Sequence, residues 1–275
     1  MIWKRLGLSR HRAGLVGLAL VLGLAVLAIG ADVISPAERG GLGADVTTPP
    51  GTAHIMGTDD LGRDVFHRFV HGARISLLIG AVAAVTSTLI GSAIGLVAGY
   101  RGGRSDDALM RFTESIQVVP RFFLALVVAV LLGASVLNVI IIIGLLSWPG
   151  IARLVRAETL SLREQEFVLA ARAVGARDVR IMLRQILPNA IAPAVVAGTL
   201  LVSQAVLTES ALSFLGLGDQ NRPSWGSMLH QAQDYFRVAW WLSVFPGLGV
   251  VVASLGFNLL GDGLNELLNP RLRER

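Results

Sequence analysis

Apolar positions in this chain do not alternate along the sequence; they gather into long runs. Stretches without a charged residue occupy 13–31, 75–99, 122–152, 189–208 and 238–261, and most of the charge collects between them. A helix needs about 20 apolar residues to cross the hydrocarbon core of a bilayer. Four of the stretches therefore predict one transmembrane helix each. The third is too long for one crossing and short for two, and Gly133 to Asn138 near its middle predict a hairpin turn.

The distribution of charge decides the count. With the N-terminal Lys4, Arg5, Arg10 and Arg12 placed in the cytoplasm and 122–152 crossing twice, eighteen of the 24 lysines and arginines fall on the cytoplasmic side. A single crossing would export the seven arginines from Arg153 to Arg184, against the positive-inside bias. The prediction is an all-α polytopic membrane protein with six transmembrane helices and both termini cytoplasmic. Arg121 and Arg153 are expected to snorkel at the cytoplasmic ends of the hairpin. The first stretch is long for a signal-peptide core and is expected to stay as an anchor. The expected divisions are 1–31 (N-terminus and first helix), 32–74 (external loop), 75–262 (five-helix core) and 263–275 (cytoplasmic tail). Trp240 and Trp241 are expected at the membrane interface, where such side chains collect.

Composition agrees. Of 275 residues 53% are hydrophobic and only 16% charged, against about 25% charged in soluble domains. No cysteine is present, so neither a disulfide framework nor a thiolate metal site can form. The net charge of +5 invites a nucleic-acid partner, but the basic residues flank apolar spans, where they report topology and contact with membrane lipid. No nucleic-acid role is expected. Gly91 and Gly95 form a GxxxG, weak support for a dimer face in a chain with 31 glycines. His67 and His71 could share a helix face like a metal pair, but a solvated pair is expected and no metal site.

The segment 153–188 differs from every other loop: it has helical composition and lacks Gly and Pro until Gly175. On a helix Ala170, Ala171 and Val174 would share a small, smooth face flanked by Arg172 and Glu166. Gly175 can end that helix in a left-handed conformation. A second helix from about Asp178, alternating Arg180 and Arg184 with Ile181, Leu183 and Ile186, could lie on the membrane surface before the span after Pro188. The segment is either an interfacial anchor or a docking element for a cytoplasmic partner.

Ala170-Ala171-x-x-x-Gly175, followed nine residues on by x-x-Leu187-Pro188, resembles the EAA loop of ABC importer permeases, with Leu169 where that loop usually has Glu and Gln185 where it usually has Ile. Further segments are similar to the dipeptide/oligopeptide/nickel branch of that family: Gly57-Thr-Asp-Asp-Leu-Gly-Arg-Asp-Val65, His71-Gly-Ala-Arg-Ile-Ser-Leu77, Glu209-Ser-Ala-Leu-Ser-Phe-Leu-Gly-Leu-Gly218, Pro223-Ser-Trp-Gly226, Phe245-Pro-Gly247, Asn258-Leu-Leu-Gly-Asp262 and Asn269-Pro-Arg271. The long loop after the first span looks like that of the C-type permease subunit.

The resemblance implies the type-I ABC importer (MetI-like) permease fold in the bacterial cytoplasmic (inner) membrane. It implies a homologous second permease subunit, two cytoplasmic ATPase subunits and an extracytoplasmic substrate-binding protein, with dipeptides, oligopeptides, glutathione or nickel as cargo. Glu166, Ala170, Ala171, Arg172, Gly175, Leu187 and Pro188 would form the ATPase-coupling loop. The chain has no G-x-x-x-x-G-K-[ST] phosphate loop and its only lysine is Lys4, so no cofactor is expected on it; ATP and Mg would bind the partner ATPase subunits. Ser203, Gln204 and Asn258 are polar residues inside spans and are candidates for the translocation pathway, although helix–helix hydrogen bonding is the commoner role of such residues. An ion-driven secondary transporter would carry ionisable residues at the midplane; the uncharged stretches hold none, and Glu209 is expected at the outer interface.

Overall fold

The computed structural model describes residues 2–36 and 41–268, and side chains from residue 12 onward within them. The side chains of Lys4, Arg5 and Arg10, and all of Arg39 and of the Asn269-Pro-Arg271 segment with Arg273 and Arg275, lie outside what it describes. Among the described residues every regular element is helical. Five helices are long and apolar enough to span: α1 (Ile2–Ile29), α3 (Val65–Arg101), α6 (Val136–Arg163), α9 (Leu187–Phe214) and α11 (Trp241–Leu268). Short helices connect them: α2 (Ala31–Ile34), α4 (Gly103–Gln117), α5 (Arg121–Leu132), α7 (Glu166–Ala173), α8 (Asp178–Ile181) and α10 (Trp225–Gln231).

The predicted third crossing is built differently from the expectation. α5 has 12 residues, which at about 1.5 Å per residue is too short to cross a bilayer. It continues α4 across a bend of 77° at residues 118–120. α4 runs alongside α6: Arg156 clasps Asp106 near its start, and Phe112 near its end stacks on Trp148, ring centroids 6.0 Å apart. Counted as one passage, the bent pair brings the total to six. Sequence periodicity concealed the first half because α4 is amphipathic and carries five charged residues. The hairpin turn lies where predicted, between Gly133 (φ +81°) and Ser135, whose side chain caps α6.

α3 is the axis of the bundle, packed on α6, α9 and α1. Along its face to α6, Gly91, Gly95 and Gly99 recur every fourth residue. A methyl group on Gly91 would fall 2.7 Å from the Trp148 carbonyl oxygen, and one on Gly99 2.8 Å from that of Arg156. The GxxxG therefore closes a contact within this chain, as small residues do where no solvent drives helices together.

α9 is reached without an interfacial helix. α8 passes through a π-turn at Met182–Ile186 directly into α9. Proline cannot donate a main-chain bond, and its ring presses on the carbonyl four residues earlier. At Pro188 that carbonyl belongs to Arg184, inside the widened turn, which accommodates the ring without a break. Ile181, Met182 and Ile186 point into the bundle, so the expected surface segment is the first part of a 37-residue helix.

Candidate functional site

The loop end of the bundle gathers several of the signature segments around two buried polar knots. In the first, Asp59 accepts the N–H groups of Leu61 and Arg63, the Arg63 side chain at 2.7 Å and the Arg68 guanidinium at 2.6 Å. Burial pushes the Asp59 carboxyl up, but the N–H of Arg63, the Arg68 side chain and the N–H of Leu61 outweigh it and hold the group below its ordinary value. Gly57 turns at φ +75° beneath Trp241, whose indole N–H donates to the Thr58 carbonyl at 3.1 Å. Trp241 is thus 4% exposed and serves the protein interior; only Trp240 is open, as an interfacial side chain would be. Asp64 caps α3 by accepting from the His67 N–H and also meets His54 Nδ1 at 2.9 Å. The His67 and His71 rings lie 4.3 Å apart and both engage Ser35, so they are not a solvated pair.

The second knot is Glu209. Its carboxylate is fully buried and accepts from Ser76 at 3.1 Å, Ser213 at 2.8 Å and Ser210 at 3.3 Å. The Ser76 hydroxyl also receives the Trp225 N–H at 3.2 Å. Three separate signature segments converge there. The expectation of an interfacial Glu209 is corrected: α9 continues six residues past the uncharged stretch, to Phe214, and takes Glu209 into the protein.

At the opposite, docking end, α7 stands on the bundle through Val168, which is fully buried against Leu96, Tyr100, Val155, Ile181 and Ile186. Gly175 takes φ +78°. Its N–H donates to the Arg172 carbonyl and that of Ala176 to the Ala171 carbonyl, at 2.9 and 3.1 Å, the pair of bonds that ends a helix on a left-handed residue. Arg172 lies over the Tyr100 ring, 5.1 Å from its centroid, and the Tyr100 hydroxyl donates to Asp178 at 2.6 Å. Span α3 and the α8 helix that leads into α9 thereby hold the loop from both sides. Glu166, Ala170 and Gly175 are exposed, as is Val174 at 84%. Ala171 instead turns inward with Val168, so the outward face is narrower than the expected set. Leu187 and Pro188 lie further along, at the start of α9.

Between these ends lies a cleft of about 440 Å³, bounded by the α4–α5 break, α6 and α9, with Gln117, Arg121, Ser147, Pro149, Leu200 and Gln204 among its walls. Arg121 donates to Gln204 Oε1 at 3.2 Å and to Ser147 Oγ at 3.5 Å. A rise of about 1.5 Å per residue puts Ser147 roughly 17 Å from the start of α6 and Gln204 roughly 15 Å from the end of α9. Arg121 thus lies at mid-depth in the bundle and does not snorkel to an end. An arginine at the centre of a lone span costs about 2.5–3.5 kcal/mol on insertion scales; here the open cleft and two neutral acceptors lower that cost.

The three pathway candidates separate. Ser203 is 1% exposed, shares a hydrogen bond of 2.7 Å with Ser254 and accepts from Asn258 at 3.1 Å, so these two join α9 to α11. Gln204 alone faces the cleft. Arg121 escaped the reading because it bounds an uncharged stretch, and its depth depends on where α5 begins.

The comparisons with known proteins agree with this architecture. The chain is 39% identical over 275 residues to the dipeptide transport system permease protein DppC of Bacillus subtilis, covering 98% of this chain and 85% of that one. It is 38% identical to the di/tripeptide transport system permease protein DppC of Pseudomonas aeruginosa (96% and 90% covered). It is 37% identical to the glutathione transport system permease protein GsiD of Pectobacterium atrosepticum (98% and 90%). Among solved structures, an inward-facing MetNI methionine ABC transporter chain shares the fold with a TM-score of 0.58 at 19% identity, covering 74% of this chain and 96% of that one. Residues 91–274 match the family described as binding-protein-dependent transport system inner membrane component, and the chain belongs to that family as a multi-pass inner membrane protein with the MetI-like permease fold.

Proposed function

We propose that the chain is the C-type permease subunit of an ATP-driven importer of small peptides, working beside a homologous second permease. In this reading α7 docks on a cytoplasmic ATPase subunit, one of two, which bind the ATP and Mg; this chain hydrolyses nothing itself. A substrate-binding protein delivers cargo at the loop end, against segments 32–74 and 209–237. Both chain termini and α7 then face the cytoplasm, the side to which the positive-inside bias assigns the arginine-rich segment.

One observation carries the mechanism. The outward face of α7 is not free to move alone, because Val168 and the Arg172–Tyr100 contact fasten it to α3 and to α8, which runs on into α9, and the Tyr100–Asp178 bond ties α3 to α8. Motion imposed on α7 by a closing ATPase dimer therefore reaches the two spans directly, one of which lines the cleft. The differential contact with two nucleotide states would set the equilibrium between two openings of the cleft. The peptide cargo named for the relatives supports the substrate class, and glutathione is itself a small peptide.

The test is co-purification with the encoded ATPase and permease partners, followed by ATPase and uptake assays with and without the binding protein. ATP-dependent peptide uptake is the expected result. Uptake that persists without ATP and collapses with the proton gradient would sink the importer reading. A narrower variant is Gly175→Leu. Among the described residues nothing beyond its chain neighbours lies within 4 Å of a methyl group built there, so the cost is the left-handed backbone, about 1–2 kcal/mol, plus a protrusion into the docking face. Uptake is expected to fall with membrane insertion intact, and wild-type uptake would remove α7 from the coupling path.

A further inference from the structure

Every other arginine that makes a described ion pair has a carboxylate of this chain: Arg63 and Arg68 meet Asp59, Arg74 meets Asp32, Arg156 meets Asp106 and Arg163 meets Glu164. Arg121 sits at mid-depth along the bundle, yet its described partners, Gln204 and Ser147, are both neutral. No acidic residue is among the described walls of its cleft. A guanidinium held at mid-depth by two weak acceptors has unused donors, and these point to a ligand from outside the chain.

We propose that Arg121, positioned by Gln204, is a carboxylate-binding subsite in the translocation path, and that imported peptides present their C-terminal carboxylate to it in transit. The inference rests on the peptide-import reading above and sharpens it. The guanidinium fork matches a carboxylate with two parallel bonds, which a lysine cannot do. Gln204 takes one donor at 3.2 Å and so fixes the plane of the fork. Leu146, Ile151, Ala197, Leu200 and Leu201 make the remaining wall apolar, which accepts side chains of many shapes while the carboxylate fixes one end. One cation in an open cleft binds weakly enough for release, as passage requires. A carboxylate supplied by the neighbouring permease subunit would be the competing partner, and the test separates the two.

The complete importer, with its ATPases, second permease and saturating binding protein, is reconstituted in vesicles. Uptake of trialanine and of its C-terminal amide is compared between wild type and Arg121→Gln. The binding protein is common to both, so its own preference cancels in the ratio of ratios. The expected result is a loss of about tenfold for trialanine, the size of one charge-assisted pair, with a much smaller loss for the amide. Equal loss for both peptides, the outcome if Arg121 only pairs with the neighbouring subunit, overturns the subsite and leaves peptide import standing. No ATP-dependent uptake of either peptide by the wild-type importer overturns the import reading, and the subsite with it. Should Arg121→Gln fail to assemble, Arg121→Lys keeps the charge but loses the fork. Its loss must also fall more heavily on trialanine, and equal loss again overturns the proposal.

Discussion

The loop end and the central cleft are built on opposite terms. At the loop end charged and polar groups are buried and fully engaged: Asp59 takes four hydrogen bonds, and Glu209 takes three from serine hydroxyls. In the cleft the one charged wall residue is open and weakly held. Several signature segments, among them those of Asp59, Ser76, Glu209 and Trp225, meet in the first region, whereas Arg121, Ser147 and Gln204 belong to none. Short, specific sequence patterns in this chain thus mark places where geometry permits one residue type. The surface that would meet cargo is written in residues that geometry leaves free.

The largest effect should come from Asp59→Ala. It strands Arg68, 8% exposed, without its counter-charge, and breaking one side of a buried pair costs about 3–5 kcal/mol. Thermal unfolding in detergent should show the loss, and a change below about 1 kcal/mol would mean that water reaches Arg68. The same carboxyl makes a pH prediction. Its folded pKa lies below the ordinary 3.8, so its stabilisation is complete above that value and fades as pH falls through it toward the folded pKa. Asp59→Asn should remove this part of the acid sensitivity while leaving the rest of the pH profile in place.

Next in size is the Glu209 knot. Ser76→Ala removes a donor to Glu209 and the acceptor of the Trp225 N–H in one change. Two buried groups left short of a partner predict a loss of about 1–3 kcal/mol. Glu209→Gln should cost a similar amount, since its amide would turn hydrogens toward serine hydroxyls that now donate. Equal stability of Glu209→Gln and wild type would show that the carboxyl is already protonated and that the knot tolerates a donor.

Much of this architecture was legible in the sequence, for a physical reason. Apolar runs of bilayer length admit one structure, because unpaired backbone groups are too costly in hydrocarbon, so 13–31, 75–99, 189–208 and 238–261 all mark spans. Gly175 was legible because a left-handed helix end leaves few alternatives. The α4–α5 passage was not, because a half-helix running along α6 can be polar on one side and Asp106 finds Arg156 only in three dimensions. Glu209 was misplaced because serines far apart in sequence, 76 and 213, create its environment. Ser203 and Gln204 are neighbours in sequence yet face different partners, and no pattern in the sequence alone separates a helix-bridging hydroxyl from an amide that lines a cleft.

Packing along α3 supplies an intermediate case. A methyl group on Gly95 would come within 2.9 Å of the Arg156 nitrogen, and the obstacle is backbone that cannot step aside. Gly95→Ala should therefore cost about 1–3 kcal/mol, measurable by the same unfolding assay. Full stability would mean that α3 and α6 can separate without loss, and would weaken the view that α3 carries a motion of α7 into the rest of the bundle.

The smallest effect on stability is expected at Gln204→Leu, and that smallness is the point. Gln204 accepts from Arg121 at the wall of an open cleft, so its loss returns the guanidinium to water instead of stranding it. Changes at such surfaces usually stay within about 0.5 kcal/mol. Function should respond the other way, because a guanidinium without its orienting partner presents its fork in many directions and gains less from a carboxylate at any one of them. Uptake of trialanine relative to its amide should drop, by less than in Arg121→Gln. A stability loss as large as that of Ser76→Ala, with peptide preference intact, would place Gln204 among the residues that hold the bundle together and erase the distinction between its two regions.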